Sequence, residues 1–358
     1  MRDSLHDMAR GAAVGGQGGA RGGVLGGGAH KRGGRGNGRR DPADAGSLAA
    51  SASARRGYTL YSRSWPARAP CHGHTGGPVY RITRRESLTP VTKLFVIEAP
   101  EVARKAQAGQ FVIVRVHEKG ERIPLTIADY DREAGLITLV VQEIGKSTRL
   151  LGAMQAGESL ASFTGPLGRP TEIERYGTVA LVGGGLGIAA IHPICRALRE
   201  AGNHVIGIIG ARSGELLFWE QEMRAVTDEL IVCTDDGSYA RKALVTVPLK
   251  ELLDASREIG CIWGIGPAIM MKFVAATSQP YGVKTLVSLN SIMVDGTGMC
   301  GACRVSVGGR TYFACVDGPE FDGHQVDWNL LLSRQRIYLD EEKQALDAFQ
   351  ETLASQTL

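Results

Sequence analysis

The hydrophobic rhythm of this chain changes near Gly177, and that change limits the fold more than any other feature. Between 79 and about 165 the apolar residues fall in short β-branched and aromatic runs, 79–82, 92–97, 110–116 and 136–141, parted by turns such as Ala108-Gly109 and Ala134-Gly135. Short runs at this spacing predict an antiparallel barrel or sandwich. After Gly177, apolar strands at 179–182, 205–209, 230–234, 262–265 and 285–287 alternate with helical stretches of ten or more residues. That alternation predicts a doubly wound parallel sheet. From 289 a compact Gly/Cys segment runs to about 330, and a charged tail, 331–358, reads as a surface helix. The expected divisions are therefore 1–78, 79–175, 176–288, 289–330 and 331–358.

The first 78 residues differ in composition. They hold twelve Lys and Arg against four Asp, a net +8, leaving 29 basic and 33 acidic residues, a net −4, for 79–358. The basic surplus belongs to this leader, so net charge gives no support to a nucleic-acid function for the rest. Residues 11–40 are a Gly/Arg tract with too little apolar surface to offset its ordering entropy, and we expect disorder to about residue 77. Tracts of this kind that bind single strands interleave aromatics, and none precedes Tyr58. No positive segment leads into an apolar core of a signal peptide, and a transit peptide's amphipathic helix is missing. We expect an idle leader; the globular pattern starts at Val79, and a valine codon can serve as a bacterial start. Cys71-His72-Gly73-His74 lacks a second ligand pair at metal-binding spacing and reads as chance. The longest apolar run, 178–195, is broken by four glycines and carries His192 and Pro193, which fits strand–turn–helix and not a membrane span. The expected location is the cytoplasm.

Cysteine carries the sharpest signal. Cys195, Cys233 and Cys261 lie in or beside apolar runs and are expected to be buried, inert thiols. Cys300 and Cys303 lie in Met293-Val294-Asp295-Gly296-Thr297-Gly298-Met299-Cys300-Gly301-Ala302-Cys303, and Cys315 follows one hairpin later. A plant-type 2Fe–2S cluster uses C-x4-C-x2-C and a distant fourth Cys. Here Asp295 stands where the first thiolate would be. Gly296, Gly298 and Gly301 allow the positive φ angles of a loop that turns its amides toward sulfides. Two other readings stay open: a zinc knuckle on the same residues, and Asp295 as only the turn residue of Asp-Gly. A disulfide framework is disfavoured, because nothing suggests secretion.

Four further stretches are candidates for cofactor contact. Gly183-Gly184-Gly185-Leu186-Gly187 joins a strand to a helix, where a pyrophosphate can meet free amides and the positive end of the helix dipole. No acidic residue follows at ribose-binding distance, and Arg212 at the next strand end leaves NADP open beside NAD. Gly264-Ile265-Gly266-Pro267, with Met270, leaves room for a planar ring at the carboxyl edge of the sheet, and Asp236 ends another strand on that edge, as ligand-facing carboxylate or as turn cap. In the first region, Glu121-Arg122-Ile123-Pro124-Leu125-Thr126 offers a guanidinium and a hydroxyl. Gly145-Lys146-Ser147-Thr148 is a helix start suited to a diphosphate. No Ser/His/Asp set stands out, so no catalytic side chain is assigned.

In this order these segments resemble the ferredoxin–NADP reductase-like flavoproteins, over nearly all of 79–358. Within them the chain is similar to electron-transfer subunits of the dihydroorotate dehydrogenase type and, most of all, to the small (alpha) subunits of NADH-dependent ferredoxin:NADP oxidoreductases. The resemblance rests on 120–129, 183–187 and 289–303. The family's Arg-x-Tyr-Ser flavin motif is matched with Leu125-Thr126 at Tyr-Ser and Arg122 one residue early; Ile265 replaces the Cys of its Gly-Cys-Gly-Pro loop. The resemblance implies a β-barrel that binds FAD, an α/β parallel-sheet domain that binds NAD(H), and a small C-terminal 2Fe–2S segment. FAD would lie against Arg122, Pro124, Leu125, Thr126, Gly145, Lys146, Ser147 and Thr148. The nucleotide would lie against Gly183, Gly184, Gly185, Gly187, Asp236, Gly264, Gly266, Pro267 and Met270. Asp295, Cys300, Cys303 and Cys315 would hold the cluster. It also implies NADH oxidation with single electrons passed outward, a larger flavin and iron–sulfur partner like a glutamate synthase small subunit, and ferredoxin. The rivals are the electron-transfer subunit of dihydroorotate dehydrogenase, in pyrimidine biosynthesis, and a non-catalytic redox-sensing or zinc-binding module.

Overall fold

A computed structural model describes residues 79–255 and 257–356. The leader with its expected disorder, and the Cys/His run at 71–74, lie outside these residues.

The first region comprises β1 (Tyr80–Thr89), β2 (Thr92–Glu98), α1 (Pro100–Ala103), β3 (Phe111–Arg115), β4 (Arg122–Asp131), β5 (Leu136–Gln142), α2 (Lys146–Ala153), β6 (Ser159–Leu160) and β7 (Ser162–Leu167). The strands pair antiparallel in the order β6-β1-β2-β5-β4-β3-β7. The two edges are consecutive in the chain, parted by residue 161 alone, so the sheet curls into a nearly closed barrel. Ile82, Phe95, Ile97, Val112, Ile127, Ile137 and Leu139 fill it, each worth about 1.5–3 kcal/mol of burial. The four expected strands are present. Strand β4 was hidden inside the stretch taken as a flavin motif; its Pro124 sits opposite Ile113 of β3.

The second region comprises β8 (Thr178–Gly184), α3 (Gly187–Glu200), β9 (His204–Ala211), α4 (Glu220–Val226), β10 (Glu229–Thr234), β11 (Arg241–Lys242), α5 (Thr246–Asp254), β12 (Ile259–Ile265), α6 (Ala268–Ser278) and β13 (Thr285–Ser288). The third has the hairpin β14 (Arg304–Val307) and β15 (Arg310–Phe313), then β16 (Glu320–Asp322), α7 (Trp328–Arg334) and α8 (Leu339–Gln356). The second sheet runs β11-β10-β9-β8-β12-β13-β16, parallel throughout except that β16 joins β13 antiparallel. Strand β8 lies centrally, and the chain winds outward from it in both directions. Its carboxyl end beside β12 is the switch point where such sheets leave a crevice for ligands.

The sequence divisions are crossed in two places. Strand β16 belongs by position to the Gly/Cys segment yet extends the nucleotide sheet. The tail is two helices: α7 begins before 331, its N-cap Asp327 accepting from Leu330 N (2.9 Å), and its end is tied to the Gly/Cys segment. There Arg334 Nη2 donates to Ala302 O (3.1 Å) and Gln335 Nε2 to Asn290 O (2.9 Å). A single core joins all three regions: Phe111 and Ile113 of β3, Met271 of α6, Val287 of β13, and Cys303, Val305, Cys315 and Phe321 pack together. Cys195, Cys233 and Cys261 are fully buried, as expected.

Candidate functional site

Strand β4 alternates. Ile123, Leu125 and Ile127 belong to or pack on the barrel core, while Arg122, Pro124 and Thr126 are exposed on the other face. A guanidinium, a pyrrolidine and a hydroxyl thus line one outward strip, as a strand's period of two demands. Leu125 lies on the inner side. At the start of α2, Thr148 Oγ1 accepts from Ile144 N and Gly145 N (3.0 Å each), closing the turn. Ser147 donates to the carboxylate of Glu121, which brings the two motifs together across 26 residues. A Cβ on Gly145 would meet nothing within 4 Å, so space opens where the first amides of α2 lack helical partners. An exposed strip beside an open helix start fits a flavin and its diphosphate.

On the nucleotide sheet the glycine loops after β8 and β12 touch. A Cβ on Gly187 would sit 1.9 Å from Ile265 O, and one on Gly184 2.3 Å from Met270 Sδ. At Gly187 only glycine permits this approach, because the neighbour is main chain. Gly185 adopts φ +55° and faces open space. The two loops therefore meet at one place, where Gly185, Gly266, Pro267 and Met270 reach the surface, while Gly183, Gly184, Gly187 and Gly264 are buried beneath them and let the chains approach. Asp236 behaves as a turn cap: its Oδ1 accepts from Ser238 N (2.9 Å) and Oγ (2.7 Å), and the Ser238 bonds hold its carboxyl below the usual range.

In the cysteine loop, Gly296, Gly298 and Gly301 take φ of +76°, +83° and +66°. Asp295 spans the loop, Oδ1 accepting from Thr297 N (2.8 Å) and Oδ2 from Cys300 N (2.9 Å). The Thr297 bond foremost keeps its carboxyl ionised below the ordinary range. Cys303 and Cys315 are buried free thiols, Cys303 Sγ donating to Cys315 Sγ (3.1 Å), whereas Cys300 is exposed. Burial, and the Cys303 thiol beside it, push Cys315 up to about 12. Among the described residues no three His, Cys, Asp or Glu side chains already stand close enough to share one metal ion. The donor set still fits a cluster: two unoxidised thiols side by side, a third on the loop, and a carboxylate with lone pairs beyond its two amide bonds. The raised Cys315 thiol must give up its proton to become a ligand, which makes metal loading a proton-releasing step. A Cβ on Gly296 would strike Leu167 and Ile113, so this loop lies on the barrel.

Sequence reasoning missed the contacts that bind the parts. Arg196 of α3 pairs with Asp129 of β4 (Nη1–Oδ1, 2.7 Å), and His192 one turn earlier is buried, its burial keeping it neutral. The α-helical spacing of His192 and Arg196 was the available signal. Glu320 was missed as well; its carboxyl receives Thr171 Oγ1 (2.5 Å) and Trp263 Nε1 (3.2 Å).

Residues 290–327 match the iron–sulfur cluster binding domain of dihydroorotate dehydrogenase B. The chain is 50% identical over 258 residues to a dihydroorotate dehydrogenase B (NAD(+)) electron transfer subunit homolog of Thermotoga maritima, covering 72% of this chain and 91% of that one. It is 31% identical over 249 residues to the dihydroorotate dehydrogenase B (NAD(+)) electron transfer subunit of Desulforamulus reducens, covering 67% and 94%. A solved chain from work on flavin-based electron bifurcation by the NADH-dependent reduced ferredoxin-NADP oxidoreductase superposes with a TM-score of 0.73 at 46% identity, covering 77% of this chain and 99% of that one. With its barrel, nucleotide sheet and cysteine loop in matching order, this chain belongs to the family of dihydroorotate dehydrogenase B electron transfer subunits and their homologues, flavin-dependent oxidoreductases of the ferredoxin–NADP reductase type.

Proposed function

We propose that this chain takes electrons from NADH through FAD on the barrel and passes them singly, by a 2Fe–2S cluster, to a partner subunit of a hetero-oligomer. The observation that carries this reading is the shared core: Phe111 and Ile113 of the barrel, Met271 and Val287 of the nucleotide region, and Cys303 and Cys315 pack as one cluster. Cofactors held by these parts are kept at fixed separations, which is what the protein contributes to an electron relay. A bound flavin supplies the conversion between a hydride donor and one-electron acceptors.

The residues divide the work of holding. The strip of Arg122, Pro124 and Thr126, with Leu125 beneath it, receives the flavin; Gly145, Lys146, Ser147 and Thr148 receive its diphosphate with amides, hydroxyls and a cation. Displacing the Glu121 carboxylate from Ser147 frees that hydroxyl. The lip of glycines from 183 to 187 and 264 to 267, with Met270, receives NAD(H), and Asp236 shapes the neighbouring turn. Asp295, Cys300, Cys303 and Cys315 hold the irons. The larger partner is a flavin and iron–sulfur subunit of the glutamate synthase small-subunit kind, with ferredoxin as a further partner, in the cytoplasm. The Asp295 position supports this over the dihydroorotate partner, where a Cys is expected; the match of 290–327 supports the latter.

Copurification from the native host separates the two: the expected companion is the large flavin and iron–sulfur subunit, and recovery with a dihydroorotate-oxidising barrel enzyme would overturn that choice. Asp295→Cys should still assemble a cluster with a changed EPR signal and potential, and unchanged spectra would remove Asp295 from the ligand set.

A further inference from the structure

Glu320 stands where the barrel, the linker to the nucleotide sheet and the sheet itself meet. It lies on β16, five residues after Cys315. Its Oε1 accepts from Thr171, in the linker between barrel and nucleotide sheet, and its Oε2 from the indole of Trp263 on β12. Both partners are buried, Trp263 completely. The barrel closes a third side: a Cβ on Gly109 would come within 2.9 Å of Oε1. The strand itself is three residues long and pairs with β13. Ahead of it Arg169 N donates to Gly318 O (2.7 Å) and Leu289 N to Pro319 O (2.9 Å), and the Glu320 carboxyl adds the side-chain ties to the linker and to β12.

We propose that Glu320 is a positioning residue, whose carboxyl fastens the cluster-bearing segment to the barrel linker and to the nucleotide sheet, with a grip that weakens as pH rises. Two hydrogen bonds to a hydroxyl and an indole are equally met by a protonated carboxyl, which donates to Thr171 and accepts from Trp263. Burial favours that neutral form and lifts the group from 4.5 to about 7. The charged and titratable groups facing it are few. Glu172 of the linker opposes its ionisation and Lys284, ahead of β13, favours it, and these two also pair with each other at 3.8 Å. Tyr176 and Cys261 are each pushed by burial to about 12 and stay neutral.

The sign follows from linkage. A closed junction binds the Glu320 proton up to about pH 7, and an opened, hydrated one releases it near 4.5. The closed form therefore loses ground to the open form as pH rises between those values, and levels off above them. That gap allows up to a roughly 300-fold change in the opening equilibrium, about a hundredfold of it between pH 5 and pH 8. The inference does not depend on the electron relay, because its readout is the backbone.

Hydrogen exchange of the full, cofactor-loaded chain tests it, followed in peptides spanning 285–327 from pH 5 to pH 8. Glu320→Gln keeps a neutral group that can meet both partners, so it should protect these peptides at every pH. Glu320→Ala should expose them at every pH. Exchange of the wild type relative to Glu320→Gln should rise up to about a hundredfold toward pH 7 and then stay level. A ratio that does not change with pH, or a Gln variant as exposed as the Ala variant at pH 5, would overturn the assignment. Should the variants fail to fold, the wild type alone decides. Its protection, corrected for intrinsic amide chemistry, must fall over this range, and constancy contradicts the proposal.

Discussion

At the switch point of the nucleotide sheet the site is made of backbone, and in the cysteine loop it is made of side chains. Gly187 presses on the carbonyl of Ile265, and Gly184 on Met270, so the lip of the crevice is complete once the strands, α3 and α6 have formed. In the cysteine loop only Cys303 and Cys315 stand together, Cys300 faces outward, and Asp295 closes the loop on its own amides. The first site is a product of folding. The second is finished by what it binds, since thiols must surrender protons to become ligands and the loop has a substitute set of hydrogen bonds until they do.

Three variants sharpen or break this contrast. The largest effect belongs to Cys315→Ser, which removes one of the paired thiols: iron and acid-labile sulfide should be lost almost entirely while FAD and NADH binding persist. Retained iron would show that the loop is more complete than its donors suggest. Gly187→Ala comes next, because the added methyl meets main chain, which cannot swing aside. We expect a loss of about 3 kcal/mol in denaturant unfolding and at least about a tenfold weaker NADH Kd, with iron content unchanged. Normal NADH binding would mean that the lip is not the nucleotide site. Thr126→Ala is the mildest. Loss of one hydroxyl from the exposed strip should cost FAD about 1 kcal/mol, several-fold in Kd by titration, and should leave the other two sites as they are.

The contrast also explains what could be read from the sequence. Glycine loops between an apolar strand and a helix announce themselves, because only a few backbone shapes suit that junction; 183–187 and 264–267 were placed correctly on one edge. The cysteine spacing was equally legible, yet spacing says nothing about where a carboxylate points, and Asp295 turned out to cap its own loop. Strand β4 was obscured by Pro124, a residue that argues against a strand until its partner is known. Strand β16 has three residues and no periodicity, so its pairing with β13, whose partner residues lie 32 to 36 positions earlier, exists only in three dimensions. Glu320 was unreadable for the same reason: a glutamate among Asp317, Asp322 and His324 looks solvated until Thr171 and Trp263 close over it. The break between α7 and α8 carries no Gly or Pro and is set by the ties of Arg334 and Gln335 to the segment beside them.

The central claim is that Asp295, Cys300, Cys303 and Cys315 hold two irons within reach of electrons that enter from NADH. Iron and acid-labile sulfide assays on anaerobically purified full-length protein, paired with EPR before and after stoichiometric NADH, test it directly. The account predicts about two irons and two sulfides per chain, as a 2Fe–2S cluster requires, and an EPR signal that appears on NADH addition. Protein that retains FAD but carries zinc in place of iron, or whose cluster stays silent while NADH is consumed, would contradict it.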